Sequence, residues 1–464
     1  MSGKTGISSD SAGGEIGLAA KGTNETVLRP FLVFMLPVML DCVLQSLAGT
    51  IGNAYVGHML GTRDLAAAST FYPLLLLLVS CGVGLGTGAS VLVGQLWGAG
   101  HPERARPAAA AALGIALGGG LGIGLGGQFL VHRILLLLHV PNDVLSDAAS
   151  YCAFLLAGSP ALIILVTTAI TLRGAGDNMR PLMMMGIQIA VALVGTPLFL
   201  VMGFGLGGAA AATIAGWVLA LVFVGISLRH VDHPLAPTRQ MLREMLPEKK
   251  IFLSVLRLGL PAMVEVMTMG LAEIALVGRI NGFGSDMTAA YGLFTQTLTY
   301  IEYPGMAVGI TVSVLTAHAI GARNEKRARA VLRTGFMIGL VLTGVLALAV
   351  SFAPTTVSLL FTSDPAVIAL ATHAFQVVMW SAVPLALGGI LGAAMRASGD
   401  VMAPMSIMLG CVVLVELPVG YWCAHHYGAW GVWLGYPASF SALFLCIALY
   451  WAVVWRHRPL LPLN

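Results

Sequence analysis

Five carboxylates stand inside long apolar runs of this 464-residue chain: Asp41, Glu265, Glu273, Glu302 and Glu416. A charged side chain at the bilayer centre costs about 2.5–3.5 kcal/mol even on the lenient insertion scale. No Lys or Arg shares these runs at similar depth, so the five need a chemical reason. Carboxylates so placed either hold protons or face water and hold cations. Both states fit an H+ or Na+ site and a cationic cargo. Asp41 lies about eleven residues, or roughly 16 Å, into its run, near the midplane. Pro37, one turn earlier, can free a carbonyl at that depth, and Gln45, one turn later, shares the face. Glu265 follows Pro261 as Asp41 follows Pro37. Glu302 precedes Pro304, Glu416 precedes Pro418, and Glu273 lies nearer a surface. Singly, each acid could be a protonated carboxyl bonded to a neighbouring helix; together they argue for a site. Most of it falls in the second half of the chain. Tyr72, Tyr291, Tyr300 and Tyr303, which can stack on flat cations, and Asn53 are cavity candidates.

The runs that must position these residues are long enough to cross a membrane. With 58% hydrophobic and 9% charged residues, against about 25% charged in soluble domains, the chain is no soluble globule. Twelve apolar stretches reach the roughly 20 residues a span needs. They fall at about 30–56, 70–96, 108–131, 148–172, 182–203, 206–228, 254–278, 288–317, 334–353, 372–395, 403–424 and 430–454. If the N-terminus is cytoplasmic, all of the 24 Lys and Arg except Arg63, Arg133 and Arg279 fall on the cytoplasmic side. A bias this strong expects both termini inside. The formal charge of +4 therefore reports topology and not nucleic-acid binding.

The halves repeat with an offset of 223 or 224. Leu36-Pro37 returns as Leu260-Pro261, and Gly98-Ala99 with Arg104 and Arg106 returns as Gly321-Ala322 with Arg327 and Arg329. Leu172-Arg173-Gly174-Ala175-Gly176-Asp177, closed by Pro181, returns as Met395-Arg396-Ala397-Ser398-Gly399-Asp400, closed by Pro404. Six spans per repeat put both halves in one orientation, related by an axis along the membrane normal, a pattern of secondary transporters.

Other motifs carry less. The six cysteines lie in or at the ends of spans without zinc spacing and read as packing residues. Gly122, Gly124, Gly127 and Gly203, Gly205, Gly208 fit a dinucleotide pattern but lack its strand–turn–helix setting, so helix packing and a tight loop are the better readings. No HExxH, GxSxG or phosphate-binding loop is present, so no enzyme, metal centre or ATP-driven machinery is expected. Residues 1–27 read as a disordered tail. Residues 229–253 form the long polar connector, in which Met241, Leu242, Met245 and Leu246 suggest either a short interfacial helix or a plain surface linker.

At this point the chain resembles the multidrug and toxic compound extrusion (MATE) transporters over residues 28–455. The carriers are the paired Leu-Pro steps, the Gly98-Ala99-Gly100 and Gly321-Ala322-Arg323 helix ends, and the two Arg–Gly–Asp-type turns with their prolines. The resemblance implies an all-α membrane protein, its twelve helices forming two six-helix lobes in a V. It also implies efflux of amphipathic organic cations in exchange for inward H+ or Na+. On this reading Arg173, Asp177, Arg396 and Asp400 are structural or gating residues, combining a helix cap with an Arg pair. The place of the family's first-span acid, seven residues after a Gln like Gln45, holds Gly52, and span ten has no acid before Asp400. Glu265, Glu302 and Glu416 are therefore expected to form a reworked second-lobe site, with Asp41, Glu273 and Gln45 as further candidates.

The expected organisation is a tail at 1–27, an N-lobe at 28–228, a linker at 229–253, a C-lobe at 254–455 and a tail at 456–464. The expected setting is a monomer in a bacterial inner membrane, without cofactor beyond its coupling ion. A lipid-linked precursor flippase and a gated ion channel are the alternatives.

Overall fold

The computed structural model describes residues 27–137, 140, 144–246 and 248–463. In hydrocarbon every backbone N–H and C=O must be satisfied within its own segment, and the apolar runs do this as helices. The N-lobe contains α1 (Leu28–Met59), α2 (Tyr72–Gly98), α3 (Arg106–Leu137), α4 (Leu145–Ala157 with Ser159–Gly174), α5 (Met179–Val201) and α6 (Gly205–His230). The C-lobe contains α7 (Lys249–Asn281), α8 (Ser285–Gly321), α9 (Glu325–Phe352), α10 (Pro365–Val378 with Ala382–Ala397), α11 (Met402–Cys411 with Leu417–Tyr427) and α12 (Gly435–Val453). Among the described residues ten helical stretches are long and apolar enough to span a bilayer, and bent α4 makes an eleventh. One of the ten, Met402–His457, holds both α11 and α12, which turn at Gly428 (φ 67°). The tail expected at 1–27 falls almost wholly outside the described residues.

Three helices depart from straight rods, each for a local reason. α4 bends by 51° between Ala157 and Ser159, where Gly158 offers no side chain and Pro160 no N–H. Ser159 Oγ secures the bend with a 2.9 Å hydrogen bond to the Gly120 carbonyl of α3. In α10 the junction Met379–Ser381 tightens to a 3-10 turn. In α11 residues Val412–Glu416 widen into a π-helical turn just before Pro418, whose ring and missing N–H disturb the carbonyl four residues back.

Small residues decide how the helices meet. The run Gly82-Val83-Gly84-Leu85-Gly86-Thr87-Gly88 places glycines on two opposite faces of α2. A Cβ on Gly82 or Gly86 would collide with Val166 or Ile170 of α4, within the lobe. One on Gly84 or Gly88 would lie 2.7 Å from the Gly259 carbonyl or 2.5 Å from the Val255 carbonyl of α7, in the other lobe. Two interleaved small-xxx-small stripes thus let α2 pack inward and across the interface at once. Gly124 and Gly127 pack on Leu156, while Gly203 and Gly205 have positive φ (84° and 53°), so the dinucleotide-like patterns are packing and a tight loop. The connector forms a helix, Arg239–Glu244, capped by Thr238 and tied to α3 by Arg106–Glu244 (3.1 Å).

Candidate functional site

One ion pair of the N-lobe and one of the C-lobe are related by the repeat. Asp41 of α1 meets Arg173, the penultimate residue of α4, at 2.5 Å. Glu265 of α7 meets Arg396, the penultimate residue of α10, with both carboxylate oxygens 3.0 Å from Nη1. Offsets of 224 and 223 carry one pair onto the other. This corrects the expectation that the span acids lack cationic partners: two of the five have one. The long Arg side chains climb from their helix ends into the span, so sequence depth alone hid the contact.

Asn178, in the loop after α4, donates a 2.6 Å hydrogen bond to the Phe34 carbonyl, which fixes that turn of α1 at the helix ends. Asp41 stands seven residues further, about 10 Å along the helix from that anchored turn.

Each of the two Arg–Gly–Asp-type turns pairs its aspartate with an arginine. Gly176 and Gly399 hold left-handed backbones (φ 89° and 87°) in both. Asp177 accepts the N–H groups of Met179 and Arg180 (3.1 Å each), capping α5, and pairs with Arg180 rather than Arg173. Asp400 accepts from Tyr450 (2.7 Å) and Arg458 (3.1 Å) instead of Arg396. Pro37 and Pro261 lie within helices that continue past them.

The remaining acids form a second, unpaired set confined to the C-lobe. Glu302 lies within electrostatic reach of both Glu273 and Glu416, and among the described residues no Lys or Arg is within salt-bridge distance of any of the three. Glu416 closes the π-helical turn of α11 and is buried near Ser439 of α12, whose Oγ donates to the Cys411 carbonyl (3.4 Å). Gly435 lets α12 pass there, since a Cβ on it would sit 2.9 Å from the Glu416 carbonyl. Glu302, within α8, and Glu273 on α7 are each half-buried. Among the described residues no three His, Cys, Asp or Glu converge closely enough to hold one metal ion. The three acids stand on three different helices, α7, α8 and α11.

The aromatic candidates divide. Tyr291 is buried in the C-lobe core, its hydroxyl 2.7 Å from that of Tyr436 and its ring stacked on Trp433, so it lines no open cavity. Tyr72 of α2 lies near Glu273 and Tyr303, and Tyr303 reaches Ser46 of α1, so these residues bring the acid set to the lobe interface. Tyr300 packs edge-on to Tyr303 and is exposed. Gln45 is exposed and makes no hydrogen bond to the acids; the side chain of Asn53 lies outside the described ones. The sequence reading missed Ser439 and Tyr436, which carry no periodic signal. It also missed the α2 glycines, whose spacing of two inside an apolar run was visible.

A polytopic helical bundle of two lobes, each with a part-buried ion pair at the same repeat position, is the build of a duplicated membrane transporter. The MatE family description matches twice, over residues 37–198 and 261–422, and the chain belongs to that family of transporters. It is 31% identical to the probable multidrug resistance protein YoeA of Bacillus subtilis, over 95% of this chain and 96% of that one. It is 25% identical to an FAD transporter of Shewanella oneidensis, over 91% and 93% of the two chains. In structure it resembles the Vibrio cholerae MATE transporter VcmN in the bent form, with TM-score 0.83 and 20% identity over 92% of this chain and 96% of that one.

Proposed function

We propose that this protein is a secondary active antiporter that exports amphipathic, mostly cationic organic compounds in exchange for inward H+ or Na+, the lobes rocking to expose the site alternately. The observation that carries this reading is the set Glu273, Glu302 and Glu416, carboxylates without cationic partners in a membrane span. Such groups are costly unless they bind protons or cations. Glu302 and Glu416 are assigned as the coupling carboxylates, with Glu273 as the half-exposed entry to them. Tyr72, Tyr300 and Tyr303 offer aromatic faces for a flat cation beside that entry.

Asp41 and Glu265 already hold arginines, so an incoming cation would have to displace a partner at either. They are assigned as lobe-bracing residues. Because Arg173 and Arg396 are engaged by these carboxylates, neither is free for an anionic cargo. The charge asymmetry of the loops supports placing the basic end and both termini in the cytoplasm of a bacterial cell, with the chain acting as a monomer in the inner membrane. The names of the multidrug relatives support the cargo class.

The test is ethidium efflux from proteoliposomes with pH and sodium gradients imposed separately. Efflux driven by one gradient, and abolished by Glu302→Gln or Glu416→Gln, is the expected result. Movement under neither gradient sinks the cationic-cargo antiporter. Movement under a gradient that survives both substitutions sinks the site assignment alone.

A further inference from the structure

Two hydrogen bonds cross the lobe interface at the basic end, and the internal repeat maps one onto the other. Gln95 of α2 donates through Nε2 to the Ala397 carbonyl at the end of α10 (2.8 Å). His318 of α8 bonds through Nε2 to the Gly174 carbonyl at the end of α4 (2.8 Å). An offset of 223 carries Gln95 to His318 and Gly174 to Ala397. It is one contact made twice, from N-lobe to C-lobe and back. Both side chains are buried. The backbones touch at the same place: Gly98 leaves no room for a Cβ against the His318 carbonyl, and its mate Gly321 leaves none against the Gln95 carbonyl.

The symmetry breaks at a third partner. Gln95 Oε1 accepts the N–H of Leu463 (2.7 Å), from the segment that follows α12. That segment is held by Trp455 Nε1 donating to Ser398 Oγ (2.9 Å) and by Leu460 against Ala319, Ile320 and Ala328. The Gln95 arm therefore gathers both lobes and the C-terminal strap, whereas the His318 arm gathers the lobes alone.

We infer that Gln95 and His318 are positioning residues of a two-fold clasp that holds the basic end shut and releases whenever that end opens. The distribution of bond strengths fits this role. The described ion pairs lie within a lobe or between a lobe and the linker, so each lobe is braced internally. Across the interface the clasp is made of side chains bonded to carbonyls and not of ion pairs. Water can replace such bonds when the gate opens, so they bias the closed state without trapping it. An ion pair there would leave buried charges to be rescued at every cycle.

The test is a distance measurement by double electron–electron resonance between labels at Glu103→Cys and Lys326→Cys. These exposed repeat mates lie at the basic end of the two lobes, and the six native cysteines would first be replaced. The unsubstituted pair should give mainly the short, closed distance. Gln95→Leu and His318→Leu should each lower the closed-to-open ratio about fivefold, the effect of losing one net hydrogen bond. His318→Gln supplies the donor its repeat mate uses and should keep the closed distance. Leu variants that keep the original distribution would overturn the proposal. So would a His318→Gln shift as large as that of His318→Leu, since shape and not the bond would then hold the gate. The readout needs neither cargo nor coupling ion, so it stands or falls separately from the antiport reading.

Discussion

Laying the C-lobe over the N-lobe by their offset puts Glu265–Arg396 on Asp41–Arg173 and His318 on Gln95. The same operation puts Glu302 on Leu78 or Val79, Glu416 on Ala192 or Leu193, and Glu273 on Gly49 or Thr50. The pairs Asp41–Arg173 and Glu265–Arg396, the turn glycines Gly176 and Gly399 and the contact glycines Gly98 and Gly321 are doubled, while the acids Glu273, Glu302 and Glu416 exist once. At the mates of Glu302 and Glu416 the N-lobe instead carries apolar residues, Leu78 fully buried among them. The C-lobe surrounds its acids with Ser439, Tyr436 and Tyr291, groups able to hydrogen-bond.

The largest expected effect tests that asymmetry directly. Glu416→Gln and Glu302→Gln should each lower gradient-driven efflux at least about tenfold, whereas Leu193→Gln at the N-lobe mate should not supply a substitute site. Equal loss from the N-lobe change would break the comparison.

The ion pairs should behave alike in both lobes. Asp41→Asn leaves Arg173 buried without a counter-charge and should cost about 3–5 kcal/mol in thermal unfolding in detergent. Glu265→Gln should cost somewhat less, because its pair is more open to solvent (18–19% exposed side chains against 11–12%). A Glu265→Gln protein that is fully stable yet inactive would move Glu265 from bracing to coupling.

The α2 stripes separate lobe stability from lobe contact. Gly86→Val, facing α4, should lower stability by about 1–3 kcal/mol through overpacking. Gly88→Val, facing α7, should lengthen the basic-end label distance while changing stability less. Gly118, with open space around its Cβ position, should accept Ala with a gain of roughly 0.5–1 kcal/mol.

The smallest effect is confined to the N-lobe. His233, in the loop after α6, stacks on Trp97 and accepts the Leu235 N–H. Burial first, and Arg180 beside it, push His233 down to about 4 from its ordinary value of 6.5. Between these values the unfolded chain binds the proton and the folded one does not, so stability falls as pH drops from 6.5 to about 4 and the loss is complete below that. Thermal unfolding across this window should show that loss in the unsubstituted protein and a smaller one in His233→Phe.

Much of the fold could be read from hydropathy alone, because a bilayer permits only segments that satisfy their own backbone. The twelve helices fall where apolar runs of spanning length lie. α9 starts at Glu325, well before its expected start at 334, because Asn324 caps a polar first turn by accepting the Arg327 N–H (3.0 Å). Hydropathy cannot register a helix that continues into water. The π-helical turn at Val412–Glu416 was not legible either, although Pro418 marked the disturbed place.

The sequence by itself determined that this chain is a duplicated membrane bundle, which residues are repeat mates, and which acids occur in only one half. Composition and spacing suffice for those, since they are properties of the chain read in order. Only the tertiary structure decided that Asp41 and Glu265 are braced by arginines while Glu302 and Glu416 are not. Asp41 and Arg173 are 132 residues apart, and Glu265 and Arg396 are 131 apart. Whether an acid in a span is paired depends on which helix end folds beside it and how far a side chain reaches, and neither is written along the chain.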